Sequence, residues 1–439
     1  MAEAQDNFPR RLPPDHPRRR EVSNEVHARP PDAVMPPARV SYLVLLSGPE
    51  ARERSRAALH DLVDRHDGPT IPEQANHVQL DLGAFRVTWE QHTEFVRYTF
   101  IVDGADDASF DDTALDRVPS EWLAGLEGEL MVATHVLLLP TPEDELDLEA
   151  LATRHFNGNE LVGAVLEGGY ETALTDFRIH GDRFSRLLVF DHAGGAHQTG
   201  RSVQRLLELD TYRIMALLAL PLARSIVPAL EECERELAEL AEALSAAAPE
   251  DEAALLDRLS RLQADLARHD TQSHTRFSAA AAYHSVVQSR VRDMREERLA
   301  DLQTFREFTE RRLAPAMNTC DAVSARIAAL VDRTGRMIAT LATRVEMTRE
   351  QQTQAVLRSM NRRVELQLRL QSTVEGLSVA AISYYVVGLV GYATGGLVAA
   401  GVGLDKDLVV GASIPVVVLA IAWGVRRVRH ALEGGPGGE

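Results

Sequence analysis

Three hydrophobic patterns follow one another along the chain. Short apolar runs fill residues 40–200, an Ala-, Leu-, Glu- and Arg-rich pattern with helical spacing fills 201–375, and almost uncharged residues fill 376–425. They predict, in that order, strands mixed with helices, long helices, and helices without a polar face. Residues 1–39 are polar and rich in Pro and Arg, and residues 426–439 are basic and then Gly-rich. We take these five ranges as the domains of the chain.

The region 40–200 has the pattern of an α/β or α+β domain. Runs rich in β-branched and aromatic residues predict short strands, and two amphipathic runs predict helices between them. The predicted strands are 40–46, 78–82, 85–90, 95–102, 136–139, 162–166, 173–180 and 184–190, and the predicted helices are 50–66 and 120–131.

Residues 201–375 are predicted to be helical over most of their length, because Gly and Pro are sparse and strong helix formers dominate. Beyond Pro315, apolar or small residues recur at steps that alternate four and three, which is the seam of a coiled coil. This seam comprises Ile327, Val331, Thr334, Ile338, Leu341, Val345 and Thr348. Two interpretations fit it: self-association of several copies, or packing on a helix within 277–312 of the same chain.

The carboxyl-terminal region predicts two transmembrane helices. Residues 376–404 contain no charge, and after Asp405-Lys406-Asp407 the chain is again uncharged from 408 to 425. A helix needs about 20 apolar residues to cross a bilayer, so the spans are placed at about 377–402 and 408–425. The alternative is a buried helical hairpin of a soluble core. The predicted fold class is a cytoplasmic α/β or α+β head, a long helical stalk with coiled-coil character, and a two-helix transmembrane hairpin.

Flanking arginines predict the orientation of this hairpin. Arg358, Arg362, Arg363 and Arg369 precede the first span, Arg426, Arg427 and Arg429 follow the second, and the loop between them has one lysine. Positive charge stays on the cytoplasmic side, so both termini are expected in the cytoplasm. The amino-terminal residues lack an apolar signal segment. The expected location is the inner membrane of a bacterium, as a multi-pass protein.

Composition excludes several classes of function. The formal net charge of −18 argues against a nucleic-acid partner, because an acidic surface repels phosphates. Two cysteines cannot form a disulfide framework or a four-thiolate zinc site. The sequence contains no GxGxxG after a strand, GxxxxGK[ST], HExxH or GxSxG motif, so we expect no enzyme.

Two groups of acidic residues are candidate metal sites. Glu90, His92 and Glu94 would share one face of a strand, where they could bind a divalent cation; the alternative is a polar strand face. Residues 101–150 carry fourteen carboxylates against one arginine, and the stretch with Asp106, Asp107, Asp111 and Asp112 could hold Mg²⁺ or another divalent cation weakly. The alternative for this stretch is a solvated acidic loop. No cofactor is certain.

Four strings carry a resemblance to a known family: NEVHARP (24–30), WEQHTEF (89–95), GRSVQRLLELDTYRIMALLALP (200–221) and TVEGLSVAAISYYVVGLVGY (373–392). Together they resemble a bacterial family of uncharacterised membrane-anchored proteins, a domain family of unknown function. The resemblance runs over essentially the whole chain and implies membrane anchoring.

The order of domains is also similar to that of CorA-type magnesium channels, in which five subunits surround a pore lined by the first spans. That resemblance implies a pentamer whose outer mouth lies near the loop between the spans. The Gly-Met-Asn triplet of those channels is absent, and residues 391–396 read GYATGG instead. The candidate pore and outer-mouth residues are Ser383, Tyr384, Gly388, Gly391, Tyr392, Gly395, Asp405 and Asp407.

Two functions are therefore expected from the sequence. The first is an oligomeric inner-membrane protein of CorA-like architecture that conducts or transports a cation and carries an acidic cytoplasmic regulatory domain. The second is a membrane-anchored sensor or scaffold without transport activity. Both have the lipid bilayer as a partner, and the first also requires a homo-oligomer.

Overall fold

The computed structural model describes most of the chain as two compact units. One unit comprises Met1–Ala243 with Asp257–Met337, and the other comprises Leu244–Leu256 with Ile338–Glu439. The residues that the structure describes are 15–25, 30–72, 75–104, 109–192, 194–401, 403 and 405–433.

The first unit, which we call the head, is built on one mixed β-sheet. Its strands are β1 Ala38–Leu46, β2 His77–Asp81, β3 Arg86–Gln91, β4 Phe95–Asp103, β5 Glu129–Pro140, β6 Val162–Leu166, β7 Glu171–Thr175, β8 Ser185–Asp191 and β9 Glu297–Arg298. Their order in the sheet is β2-β3-β4-β1-β5-β8-β7-β6-β9. β5 and β8 pair in parallel, and the other named pairs are antiparallel. The predicted mixed α/β class is confirmed.

Helices account for most of the remaining described residues. They are α1 Arg19–Glu25, α2 Pro49–Arg65, α3 Ser120–Ala124, α4 Leu148–Phe156, α5 Ala196–Leu217, α6 Ala219–Ala246, α7 Glu252–Asp293, α8 Phe305–Arg312, α9 Ala314–Ala399 and α10 Lys406–Glu433. The turn that separates α6 from α7 contains Pro249 followed by two acids, which favour a turn over a helix.

The central strand β1 is buried on both of its faces because helices cover the sheet on both sides. Leu43 and Leu45 belong to a core with Leu59 of α2 and the aromatic side chain of Trp89. Tyr42 points to the opposite face, where its hydroxyl shares a 2.8 Å hydrogen bond with Thr211 of α5. Successive strand residues alternate in direction, so β1 contributes to two separate apolar layers.

Two predicted elements end earlier than expected. The helix predicted at 120–131 stops at Ala124, because Gly125 and Gly128 follow and the chain enters β5 at Glu129. The strand predicted at 173–180 ends at Thr175, and residues 176–184 form a loop. The reason lies in side-chain hydrogen bonds of this loop, which are described below.

The predicted seam on α9 is partly buried within the chain itself. Ile327, Thr334 and Leu341 are almost fully buried. Arg326 of α9 forms a two-pronged ion pair with Glu234 of α6, so α6 is a neighbour of this helix in the head. The neighbour shown by this ion pair is α6 and not the expected helix within 277–312, and a coiled coil between copies stays a prediction.

Three stretches of the described residues are long and apolar enough to cross a membrane: Ala196–Ala246, Phe305–Ala399 and Lys406–Val428. The first contains α5, whose Val203, Leu206 and Leu207 are buried in the head, and we assign it to the head. In the other two, the apolar residues of the carboxyl-terminal part are largely exposed.

Candidate functional site

A group of buried charged side chains connects the sheet to α5 and α7. Glu90 of β3 accepts a hydrogen bond from Arg97 of β4, and His92 Nε2 lies 3.3 Å from the other carboxylate oxygen of Glu90. Arg97 Nη1 lies 3.5 Å from Glu208 of α5, which also accepts a hydrogen bond from Arg290 of α7. Two acids thus face two arginines inside the head.

These buried charges hold one another in the ionised form. Burial alone would raise the pKa of Glu90, but the hydrogen bond with His92 and the Arg97 guanidinium lower it to about 2. Burial alone would lower the pKa of Arg97, but the neighbouring Tyr42, Glu90 and Glu208 raise it. Because each charge already has a partner, the group has the character of a structural ion network rather than of a catalytic base.

The predicted arrangement of Glu90, His92 and Glu94 on one strand face is wrong. β3 ends at Gln91, so His92 and Glu94 lie in the turn before β4, where the alternation of a strand no longer holds. Glu94 instead accepts hydrogen bonds from Arg276 and Tyr283 of α7, at 3.0 and 2.7 Å. Among the described residues, no group of three or more His, Cys, Asp or Glu side chains is placed to hold a metal ion.

The acidic stretch is only partly described. Asp106 and Asp107 lie outside the described residues. Asp112 is partly exposed and lies 3.3 Å from Arg39 and 3.4 Å from Arg117, while the backbone N–H of Asp111 donates to the Ser109 hydroxyl. Asp112 therefore takes part in ion pairs near the surface.

Several predicted pore residues lie together on a groove between α9 and α10. The groove has a volume of about 660 Å³ and brings Asp407 of α10 close to residues of α9. Its lining includes Tyr384, Gly388, Gly391, Tyr392, Lys406 and Asp407. A Cβ on Gly391 would lie 3.5 Å from Val410, an ordinary contact distance, so α10 passes close to α9 at this glycine.

The other predicted pore residues have different surroundings. Ser383 is buried, and its hydroxyl makes no hydrogen bond within the described part of the chain. Gly395 lies near the Lys406 ammonium, which is 3.8 Å from the position of a Cβ. Asp405 accepts a 3.2 Å hydrogen bond from the N–H of Asp407, so it acts as the N-terminal cap of α10.

Sequence reasoning missed a pocket in the head, which we call the Arg213 pocket. It has a volume of about 270 Å³ and lies where the start of β5, the loop 176–184 and α5 meet. Its lining combines apolar side chains with a few polar ones: Leu130, Met131, Val132, Ala133, Phe177, Ile179, Arg183, Ser185, Asp210, Arg213 and Ile214. An apolar pocket with a few convergent polar groups is the usual form of a small-molecule site.

The loop 176–184 that forms one wall of the Arg213 pocket is held by buried hydrogen bonds. His180 Nε2 lies 3.0 Å from Asp176, and Asn159 donates to the same carboxylate at 2.8 Å. Phe177 and Arg183 both have left-handed backbone conformations, with φ of 51° and 73°. Non-glycine residues adopt this conformation at a cost, and such strain is common at binding sites.

Two charged residues of α5 supply the polar floor of the pocket. Arg213 donates to Asp210, whose other oxygen accepts a 3.2 Å hydrogen bond from Thr134. The guanidinium lies 4.6 Å from the centre of the Phe177 ring, which stacks on Phe308 at 4.4 Å. Arg213 Nε is buried and donates to no acceptor among the described residues. Two charges on the apolar face of a helix were the only sequence signal of this site.

Comparison with known families gives one match. The family model of DUF3422, described as a protein of unknown function, matches residues 14–432. The chain belongs to the DUF3422 family. No curated protein matches the chain. No solved structure matches it either. Membership of DUF3422 assigns no activity, and it does not extend to the CorA channels.

One further arrangement in this DUF3422 chain has the composition of a catalytic pair. Ser41 and His135 share a 2.8 Å hydrogen bond. Ser41 is fully buried, and burial lowers the pKa of His135 to about 4, because the charged imidazolium is poorly solvated there. A hydroxyl that solvent does not reach cannot meet a substrate, so we assign the pair to the core.

Proposed function

We propose that the chain is a membrane-anchored ligand-binding protein, the sensor or scaffold among the functions expected from the sequence. The head binds a small amphipathic anion, and the carboxyl-terminal helices hold the head at a bilayer. The observation that carries the proposal is the Arg213 pocket. Apolar side chains line its walls, and Arg213 lies at its base in a fixed position.

The chemistry of the pocket favours a ligand with an anionic end and an apolar body. Asp210 holds the Arg213 guanidinium beside the Phe177 ring, and its positive charge favours a carboxylate or phosphate group at this wall of the pocket. Arg183 adds a second positive charge at the exposed edge of the pocket. Phe177, Met131 and Ile214 supply the apolar contacts.

The proposed anchor rests on the apolar surface of the second unit. Leu377, Leu389 and Leu397 of α9 and Leu408 and Leu419 of α10 are each more than half exposed. Exposing apolar area to water costs about 25 cal/mol per Å², so such a surface is expected to be covered, and we commit to lipid as its cover. The flanking arginines favour an orientation of the hairpin in a bacterial inner membrane with both termini in the cytoplasm.

Calorimetry on the full-length protein in phosphatidylcholine nanodiscs tests ligand binding. The probes are phenylacetate, phenyl phosphate and benzyl alcohol, which share a ring and differ in charge. Both anions should bind at least about tenfold more tightly than the alcohol, because a charged hydrogen bond contributes about 1.5–3 kcal/mol. Arg213→Gln should remove this difference.

The control variant is Arg201→Gln. Arg201 is an exposed arginine on the same helix that does not line the pocket, so its loss should leave binding unchanged. Arg213→Lys keeps the positive charge but loses the planar guanidinium group. Its affinity for the anions should lie between those of wild type and Arg213→Gln. Equal binding of the three probes, or anion binding by Arg213→Gln at wild-type strength, would contradict the proposal.

A second candidate function is the CorA-like cation pathway, which the groove between α9 and α10 favours. It places Asp407 beside a row of Gly and Tyr residues. Two helices cannot enclose a pore, so this function requires a ring of copies, a pentamer if it is CorA-like. The test is cation flux into liposomes. Asp407→Asn with Asp405→Asn should slow it, since Asn still caps a helix while the charge is gone. Sealed liposomes with folded protein would leave the membrane anchor as the only role of the hairpin.

A further inference from the structure

Two acidic residues face each other inside the head, at the edge of the sheet where α5 begins. Glu171, the first residue of β7, and Asp191, the last residue of β8, are direct partners in the antiparallel ladder. Glu171 is fully buried and Asp191 is nearly so. Like charges directly opposite each other in a sheet repel, and burial increases the cost.

Three oxygen atoms converge beside Gly194, in front of α5. A Cβ added there would lie 2.7 Å from Asp191 Oδ1, 2.9 Å from the Thr199 hydroxyl and 3.3 Å from Glu171 Oε1. They come from three separate elements, the ends of two strands and the first turn of α5. The missing side chain of Gly194 thus leaves a cradle lined by oxygens, the ligand type that hard cations prefer.

Asp191 accepts a 2.8 Å hydrogen bond from the Gly194 N–H, whereas Glu171 has no such partner in the described part of the chain. Neither carboxylate oxygen of Glu171 makes a hydrogen bond of ordinary geometry, and the buried Ser202 hydroxyl beside it makes none either. Arg205, the arginine whose charge acts on Glu171, is bonded to Glu167 instead. Burial and the neighbouring Asp191 raise the pKa of Glu171 to about 7, which reflects the same lack of a counter-charge.

We propose that Glu171, Asp191, Thr199 and Ser202 form a binding site for one divalent cation, of the Mg²⁺ or Ca²⁺ type. Two carboxylates neutralise the ion, and two hydroxyls complete the protein ligands, with water in the remaining positions. Two of the four proposed ligands are acidic side chains and two are hydroxyls. None of the four lines the Arg213 pocket. The site is separate from the proposed ligand binding, so either can fail alone.

Calorimetric titration of Mg²⁺ and of Ca²⁺ into the full-length protein in phosphatidylcholine nanodiscs at pH 8, with empty nanodiscs as the blank, tests this site. Wild type should bind one ion. Glu171→Gln should weaken binding by at least about tenfold, because it removes a charged ligand. Gly194→Ala should weaken it similarly without removing a ligand, since its methyl group fills the cradle.

The matched control is Gly195→Ala, because a Cβ on Gly195 meets nothing within 4 Å. This variant should bind as wild type does. Circular dichroism shows whether each variant folds, and if Gly194→Ala does not, Glu171→Gln decides alone. The proposal is overturned if wild type takes up neither ion saturably, or if Glu171→Gln binds as wild type. A second measurement is the melting temperature at pH 8 and pH 6. If neither ion binds, and the lower pH raises the melting temperature of wild type but not of Glu171→Gln, Glu171 is stabilised by a proton and not by a cation, and the proposal fails.

Discussion

Gly200→Ala should destabilise the head, although alanine normally favours a helix. Gly200 lies in α5, where the extended segment 30–34 crosses the helix. A Cβ at this position would lie 1.7 Å from the carbonyl oxygen of Asp32 and 3.5 Å from the nitrogen of Val34. Because non-bonded atoms rest at about 3.5 Å, the segment would have to move by more than about 1 Å.

The magnitude follows from the contacts that this movement disturbs. Val34 N–H donates to the Ala196 carbonyl at 3.0 Å, and the Thr88 hydroxyl donates to Asp32 at 2.7 Å. Each such hydrogen bond contributes about 1 kcal/mol and overpacking costs about 1–3 kcal/mol, whereas the helix gains about 1 kcal/mol from alanine. We expect a net loss of about 3 kcal/mol in the free energy of unfolding.

The assay is guanidinium unfolding of the full-length protein in mild detergent, followed by tryptophan fluorescence. Trp89 and Trp122 are both buried in the head and report its unfolding. Gly335→Ala is the control, because this glycine lies inside α9 with nothing within 4 Å of a Cβ, so it should stabilise by up to about 1 kcal/mol. If both variants are stabilised, the segment 30–34 does not rest on α5 and the reasoning is refuted.

Three further predictions test other parts of the structure. Arg97→Met should cost about 3–5 kcal/mol, since it leaves Glu90 and Glu208 short of a counter-charge, and adding Glu90→Leu should recover part of the loss in the same unfolding assay. The pKa of His135 is about 4 in the folded protein against 6.5 for a solvated histidine, so its contribution is complete above pH 6.5 and falls by about 3 kcal/mol as the pH drops to 4. His135→Gln should flatten the pH dependence of stability in this range, and an unchanged slope would show that His135 is not its source. A cysteine at Lys406 should react with an impermeant thiol reagent from outside the cell and one at Arg369 should not; the reverse labelling would invert the proposed orientation.

The local pattern of the chain predicted the elements whose side chains follow a regular period. The runs around Val40, Phe95 and Val162 became strands of one sheet. The stretch after Pro315, in which Gly335 is the one helix breaker before residue 376, became α9. The uncharged stretches near the carboxyl end lie in helices long and apolar enough to cross a membrane. Such features depend on neighbours along the chain, so they can be derived from sequence alone.

What the sequence alone determined is therefore which residues form strands and helices and which faces are apolar. The tertiary structure decided which elements cover those faces and which charges meet. Glu90 and Glu94 are four residues apart yet bind different partners, because the turn at His92 ends the strand between them. Glu171 and Asp191 are twenty positions apart but adjacent in the sheet. Periodicity records the direction of a side chain and carries no information on what lies opposite, so the Arg213 pocket and the Glu171 cradle became visible only in three dimensions.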